Sequence, residues 1–299
     1  LVLRGLVLKH LNSSAIAPTR VVVIGAAGFI GGALVDRLTQ AGIKTLALRR
    51  ADVDLLAADA ADRLAGVLAE GDAVFCAAAM APCKNSVMLR DNMTMAAAMV
   101  SALGRVPVAH VVNLSSDAIY GDVAEPMSEE AWAAPSSLHG AMHLARELMF
   151  KAEISVPLAI LRPTLVYGGR DPHNGYGPNQ FRRKANRGEE IVLFGEGEER
   201  RDHVFVDDVV DLAFRILMQR STGELNAATG TVTSFRDIAD LAVRLSGQTV
   251  SVKGSQRKGP MPHNGYRAFD PAATLAAFPD FHYTALADGM AAAQRQEFR

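Results

Sequence analysis

The chain has 299 residues, with 31 Lys and Arg against 32 Asp and Glu, two cysteines and 49% hydrophobic residues. A formal charge of -1 removes the general electrostatic case for a nucleic acid or an anionic membrane surface as partner. Two cysteines cannot form a disulfide framework, which favours a reducing, cytoplasmic setting, and apolar stretches such as 73–81 stop far short of the roughly 20 residues of a membrane helix.

Residues 1–19 have too little continuous apolar run for a good secretory signal and are expected to form a loose extension outside the fold. From Val21 the pattern becomes regular. Val21-Val22-Val23-Ile24 is β-branched without alternation, as a strand buried on both faces requires. Gly25 to Gly32 follows, then an amphipathic helix stopped by Gly42. Strands are expected at 44–48, 73–77, 108–114 and 158–161, with helices near 60–69, 92–103 and 137–152. Such alternation over about 150 residues predicts an α/β fold, a Rossmann-like doubly wound parallel sheet with helices on both faces. After Tyr167 the rhythm fails in a Gly, Pro and Asn loop, and a smaller, irregular C-terminal region is expected. The expected division is therefore a dinucleotide-binding domain at 20–170 and a substrate-binding region at 171–299, with roughly 203–228 returning to the first domain.

Gly25-Ala26-Ala27-Gly28-Phe29-Ile30-Gly31 reads GxxGxxG between a strand and a helix. Glycines there allow a tight turn and close approach of backbone N–H groups to a pyrophosphate, and the helix N-terminus adds partial positive charge. The plainer alternative is a tight turn without ligand. The second strand ends at Leu48-Arg49-Arg50 rather than at an acidic residue. An arginine there suits the extra phosphate of NADP, so NADP(H) is expected ahead of NAD; two solvated arginines are the competing reading.

These and further segments together resemble the extended short-chain dehydrogenase/reductase family, of the NAD-dependent epimerase/dehydratase type. In the family's order come GAAGFIG, then Asp54-Leu55 like the pair that contacts adenine, with Asp59 competing for that register. Ala77-Ala78-Ala79 resembles the small-residue stretch after a central strand, and Asn92 the residue that opens the next helix. Ser115-Ser116-Asp117-Ala118-Ile119-Tyr120-Gly121 resembles the catalytic Ser/Thr segment. Leu161-Arg162-Pro163-Thr164-Leu165-Val166-Tyr167-Gly168 resembles the motif beside the nicotinamide, which brings in Pro163 and Val166. Residues 195–202 followed by Val206-Asp207-Asp208 resemble the substrate-loop signature. The short gap before Asp54 is similar to that of the dTDP-sugar 4-keto reductases of the family, which commonly accept NADPH. The resemblance implies a nucleotide-linked sugar or similar small carbonyl or hydroxyl substrate and hydride transfer at a sugar carbon.

The family moves the hydroxyl proton with the phenol of a Tyr-x-x-x-Lys motif, whose spacing puts both groups on one helix face. Here Ser137-Leu138-His139-Gly140-Ala141-Met142-His143-Leu144-Ala145-Arg146-Glu147 aligns on YGxSKxxxE, with Gly140 and Glu147 holding the register. His139 stands at the Tyr position and His143 at the Lys position. His139 exchanges protons near neutral pH more readily than a phenol, whereas His143 supplies little fixed charge and serves as a ribose contact. Three readings stay open: a switched-base enzyme, a catalytically degenerate dinucleotide-binding sensor or partner subunit, and a metal pair at i and i+4. No cysteine or carboxylate has ligand spacing beside the pair, so no metal is expected. Ser116 is placed as the substrate hydrogen-bond partner. Asp117 matches the first member of a dehydratase Asp-Glu pair, but Ala118 replaces the second, which ranks dehydration below epimerisation or 4-keto reduction. A turn cap is the alternative role for Asp117.

Arg201 matches the family arginine that clamps a nucleotide-sugar pyrophosphate, a task suited to a planar fork. Asn179, in the preceding loop, is a further substrate contact and Arg257 a weaker second clamp. Asp207-Asp208 reads as a helix start, and Cys76 and Cys83 as packing residues. The Met-rich stretch 88–99 fills the core, on a helix the family often uses to form a homodimer.

Overall fold

The computed structural model describes residues 8–297. A six-stranded sheet organises them: β1 (Val21–Ile24), β2 (Thr45–Leu48), β3 (Ala73–Cys76), β4 (His110–Leu114), β5 (Leu158–Pro163) and β9 (Gly223–Ala227). All pairings are parallel, in the order β2-β1-β3-β4-β5-β9. The unbroken Val21–Ile24 run is buried throughout, and it serves two cores. Val21 and Val23 join one apolar cluster, Val22 and Ile24 the other. Each such side chain contributes about 1.5–3 kcal/mol by burial.

Helix α1 (Phe29–Gln40) covers one face together with α6 (Val206–Met218). The other face carries α2 (Ala60–Val67), α3 (Ser86–Leu103) and α4 (Leu138–Glu153). One helix start differs from expectation. Helix α3 begins at Ser86 because the Asn85 side chain accepts from Met88 N at 2.9 Å and caps it. Asn92 therefore lies inside the helix and does not open it; its side chain instead pairs with Met80 N and O, tying the loop after β3 to α3.

The C-terminal part is more regular than its sequence rhythm suggests. It contains β6 (Leu165–Tyr167), α5 (Pro178–Asn186), β7 (Ile191–Phe194), β8 (Arg200–Phe205), β10 (Val232–Ser234), α7 (Phe235–Ser246), β11 (Val252–Ser255), β12 (Tyr266–Arg267), α8 (Ala272–Ala277) and α9 (Leu286–Glu297). Strand β8 joins β6, β10 and β12 in a small mixed sheet, and β7 pairs β11. Asp207 and Asp208 occupy the first turn of α6, where Asp208 holds Thr284 N and Oγ1.

From Leu8 the expected loose extension is bound to the body. Lys9 and Thr222 exchange backbone hydrogen bonds of 2.7 Å, and Leu11 and Asn12 donate to Gln219 O. The His10 ring bridges Ser221 Oγ and Ala277 O, each at 2.8 Å. Backbone pairing with the turn after α6 is what the sequence of this segment did not disclose; residues 1–7 lie outside the described residues. No helix among the described residues is long and apolar enough to cross a membrane.

Candidate functional site

In a parallel sheet of this order the crevice opens where the strand order reverses, between the C-terminal ends of β1 and β3. The glycine loop sits there. Gly25 has φ +93, and a Cβ on it would stand 2.6 Å from Ala78 N. A Cβ on Gly31 would stand 2.3 Å from Gly25 O. Only glycine lets this turn lie flat against residues 77–78 and lets α1 start directly behind it. The cradle therefore fits a dinucleotide diphosphate, with loop amides and the α1 N-terminus as the groups that would hold it.

Two cavities meet across this loop and share Gly25, Gly28, Ala77 and Ala79. The smaller, about 230 Å³, is lined by Leu48, Arg49, Val53, Asp54, Leu55, Ala78 and Met95 among others, a slot suited to an adenosine. Asp54 is not free to contact a base through both oxygens. One accepts from Leu56 N at 3.1 Å and the other from Arg50 at 3.2 Å. That leaves Arg49, exposed at the rim, as the arginine not engaged by Asp54.

The larger cavity, about 620 Å³, runs from Phe29, Ile30, Pro163 and Val166 past Ser116, His139 and His143 to Arg201, His263 and Arg267. Helix α4 is capped by Ser137 Oγ, which accepts from Gly140 N at 3.1 Å, so the two histidines project from its first turns. A Cβ on Gly140 would stand 2.0 Å from Ala118 O, so glycine permits the close contact between α4 and the Ser116 segment.

The imidazoles of His139 and His143 meet edge to face, with centroids 4.7 Å apart. Burial pushes the His143 pKa well below its ordinary value, and His139 and Arg146 add repulsion. Burial also lowers His139, partly offset by Asp117. Both rings are therefore neutral at pH 7. His139 Nδ1 accepts weakly from Cys83 N at 3.4 Å, which favours the neutral tautomer with its proton on Nε2. His143 is 6% exposed and its Nδ1 has no partner, an orphaned polar atom beside the cleft. No group of three His, Cys, Asp or Glu among the described residues is arranged to hold a metal ion.

Ser116 lines the same cavity; its hydroxyl accepts from Ala118 N at 3.2 Å and contacts Asp117 Oδ1 at 3.3 Å. The cap of this turn is Ser116, and the Asp117 carboxylate is bound by side chains instead. Arg267 Nε donates to its Oδ2 at 3.1 Å, and Arg267 Nη1 donates to Asp122 at 2.9 Å. Asp122 also pairs with His263. Arg201 is held by Glu199 at 3.2 Å. The second arginine of the cavity is thus Arg267, which the sequence did not point to because it sits on a two-residue strand with no local motif. Arg257 is not among the cavity-lining residues: it is tied to Phe194 O and Glu198. Asn179 is likewise turned to the backbone, where its Oδ1 accepts from Gly168 N at 3.0 Å.

Behind the site, Glu147 is fully buried and accepts from Ser115 Oγ at 2.5 Å and from Arg162 at 2.7 and 2.9 Å. Arg162 also donates to the Tyr120 hydroxyl at 2.8 Å. Such a network is rigid, because losing one member strands the others in a low dielectric. It fixes α4 to the Ser115–Tyr120 segment.

Known proteins share this fold. The chain is 33% identical over 254 residues to a UDP-glucose 4-epimerase of Mycolicibacterium smegmatis, covering 73% of this chain and 80% of that protein. Among solved structures, the UDP-glucose 4-epimerase of Thermus thermophilus in complex with NAD superposes with TM-score 0.79 at 23% identity, covering 94% of this chain and 99% of that one. A GDP-L-fucose synthetase of Naegleria fowleri bound to NADP gives TM-score 0.83 at 17% identity, covering 96% of each chain. The profile of the NAD dependent epimerase/dehydratase family matches residues 21–228, and the chain belongs to that family.

Proposed function

We propose that this protein is an NADP(H)-dependent enzyme, with NAD as the alternative cofactor, that epimerises or reduces the sugar of a nucleotide-linked substrate. What carries this is one continuous cavity in which the glycine-loop cleft, the Ser116–His139–His143 group and the Arg201–Arg267 pair follow one another. A nicotinamide, when bound, supplies or accepts the hydride. Ser116 hydrogen-bonds the reacting sugar oxygen and His139 exchanges its proton. His143, neutral and buried, is a ribose contact without the fixed charge of a lysine. Arg201 is the arginine placed to meet the substrate diphosphate, and Arg267, buried and bound to Asp117 and Asp122, holds the cavity wall beside it. Dehydration is disfavoured because Asp117 is bound by Arg267 and its neighbour is Ala118.

Epimerisation is preferred over 4-keto reduction on the 33% identical relative. Exposed Val87 on α3 and Leu148 on α4 support a homodimer through those helices. The free, buried cysteines are compatible with a reducing cytoplasm. One observation favours a second reading, a dinucleotide-binding protein without turnover: proton uptake at His139 Nε2 needs the tautomer that places Nδ1–H against the Cys83 N–H.

Incubation with NADPH or NAD and a panel of UDP-, dTDP- and GDP-sugars, with products followed by NMR, separates the two. Inverted or reduced sugar is the expected outcome. Tight cofactor binding without product from any sugar would establish the binding protein instead.

A further inference from the structure

Arg146 completes a series on α4. Positions 139, 143 and 146 follow i, i+4, i+7 and share one helix face. The first two histidines carry no charge at neutral pH, but the arginine one turn on is a permanent cation. It is 2% exposed and buried among backbone groups. Nη2 donates to Cys76 O at 2.7 Å, Nη1 to Ala78 O, and Nε to Asn113 Oδ1 at 2.6 Å. None of these partners is an anion. The adjacent carboxylate, Glu147, is engaged by Ser115 and Arg162. Cys76, the nearest titratable group of β3, is a thiol that burial pushes up to about 12.

A buried cation with its hydrogen bonds made but no counter-charge is costly, and such a charge is retained where something compensates it. The compensating position is indicated by what the guanidinium holds. Its two carbonyl partners are the end of β3 and Ala78, and Ala78 N is the group that a Gly25 Cβ would strike. Arg146 therefore sits directly behind the turn that forms the diphosphate cradle.

We propose that Arg146 is the fixed positive charge of the cofactor cleft, a positioning residue that holds the Cys76–Ala78 strand end against the glycine loop and takes its counter-charge from a bound dinucleotide diphosphate. This rests on the dinucleotide reading given above. On the alignment that puts His143 at the family's lysine position, the charge lies one turn further along the same face, and it acts through the backbone and through space.

The test compares adenosine, ADP and NADP binding to the full-length protein and to its Arg146→Lys and Arg146→Gln variants by calorimetry. Arg146→Gln is expected to weaken ADP and NADP by about tenfold more than adenosine, because only the first two carry phosphate. Arg146→Lys keeps the charge and is expected to stay within about threefold of wild type for all three. Unchanged ADP affinity in Arg146→Gln, or a proportional loss of adenosine and ADP, would overturn the proposal in favour of a purely structural arginine. Should Arg146→Gln fail to fold, Arg146→Lys decides: adenosine and ADP lost in equal proportion contradict the proposal, and both retained supports it. Wild-type protein that binds neither ADP nor NADP would instead remove the dinucleotide reading itself.

Discussion

The rings of His139 and His143 stand edge to face at 4.7 Å, His139 half-buried on the cavity wall and His143 buried, both neutral. In the proposed arrangement His139 is the proton-exchanging group and His143 the ribose contact beside it. His143→Lys places an amine in a pocket that already holds Arg146 close by. It is expected to destabilise the protein by about 1–3 kcal/mol through a second buried cation. Chemical denaturation of the two proteins checks this; equal stability would mean the pocket tolerates the charge.

Arg267 and Arg257 separate sharply. Removing Arg267 strands Asp117 in the cavity wall and takes one of two partners from Asp122. Arg267→Ala should cost about 3–5 kcal/mol and raise KM for a nucleotide sugar. Arg257→Ala breaks a peripheral pair with Glu198 and should cost about 1 kcal/mol or less, with KM unchanged. Unfolding curves and KM values for the two variants test the distinction, and the reverse order would restore Arg257 as the clamp.

Gly25 and Gly31 of the glycine loop admit no side chain. Gly31→Ala, whose Cβ would stand 2.3 Å from Gly25 O, should weaken dinucleotide binding at least about tenfold. Binding equal to wild type would mean that the loop does not hold the cofactor.

Under the proposed preference for NADP(H), Arg49 is the 2′-phosphate contact. It is an exposed residue lining the smaller cavity, whereas Arg50 is paired to Asp54. Arg49→Ala should weaken NADPH by about tenfold or more and NADH by little. Equal losses for the two would assign no 2′-phosphate contact to this residue.

Acid stability carries the imprint of the buried histidines. Burial pushes His110 down to about 4 and His203 to about 3, and holds His143 well below its ordinary value. The unfolded chain protonates these groups near pH 6.5, so it binds more protons and stability falls as pH drops below that value. His110 alone contributes about 3 kcal/mol of this loss by pH 4. Asp202, pushed up to about 6 by burial, acts in the opposite sense between its unfolded value and pH 6. Melting temperature should therefore fall from pH 7 to pH 5, and His110→Gln should flatten the slope. A wild-type curve level over that range would contradict the assignment.

The sheet was legible because its strands are continuous β-branched runs and its phosphate turn can be built only with glycine. Helix α4 was legible in the same way, and the i, i+7 relation of Arg146 to His139 was already in the spacing. Its isolation from carboxylates was not, because that depends on which face of β3 meets the helix. Arg267 was hidden for a related reason: a buried arginine on a two-residue strand has no periodic signal, and its partners lie about 150 residues away. The strap from Leu8 was hidden too, since backbone pairing to the turn after α6 leaves little trace in side-chain pattern.

In the proposed reaction His139 moves the proton while a hydride is transferred at a carbon of the nucleotide sugar. The most direct measurement is the turnover of wild type and His139→Ala on the sugar that the NMR panel identifies, at equal cofactor saturation. The expected result is a loss of about 10²–10⁴ in kcat with dinucleotide affinity intact. An unchanged kcat in His139→Ala would contradict the claim.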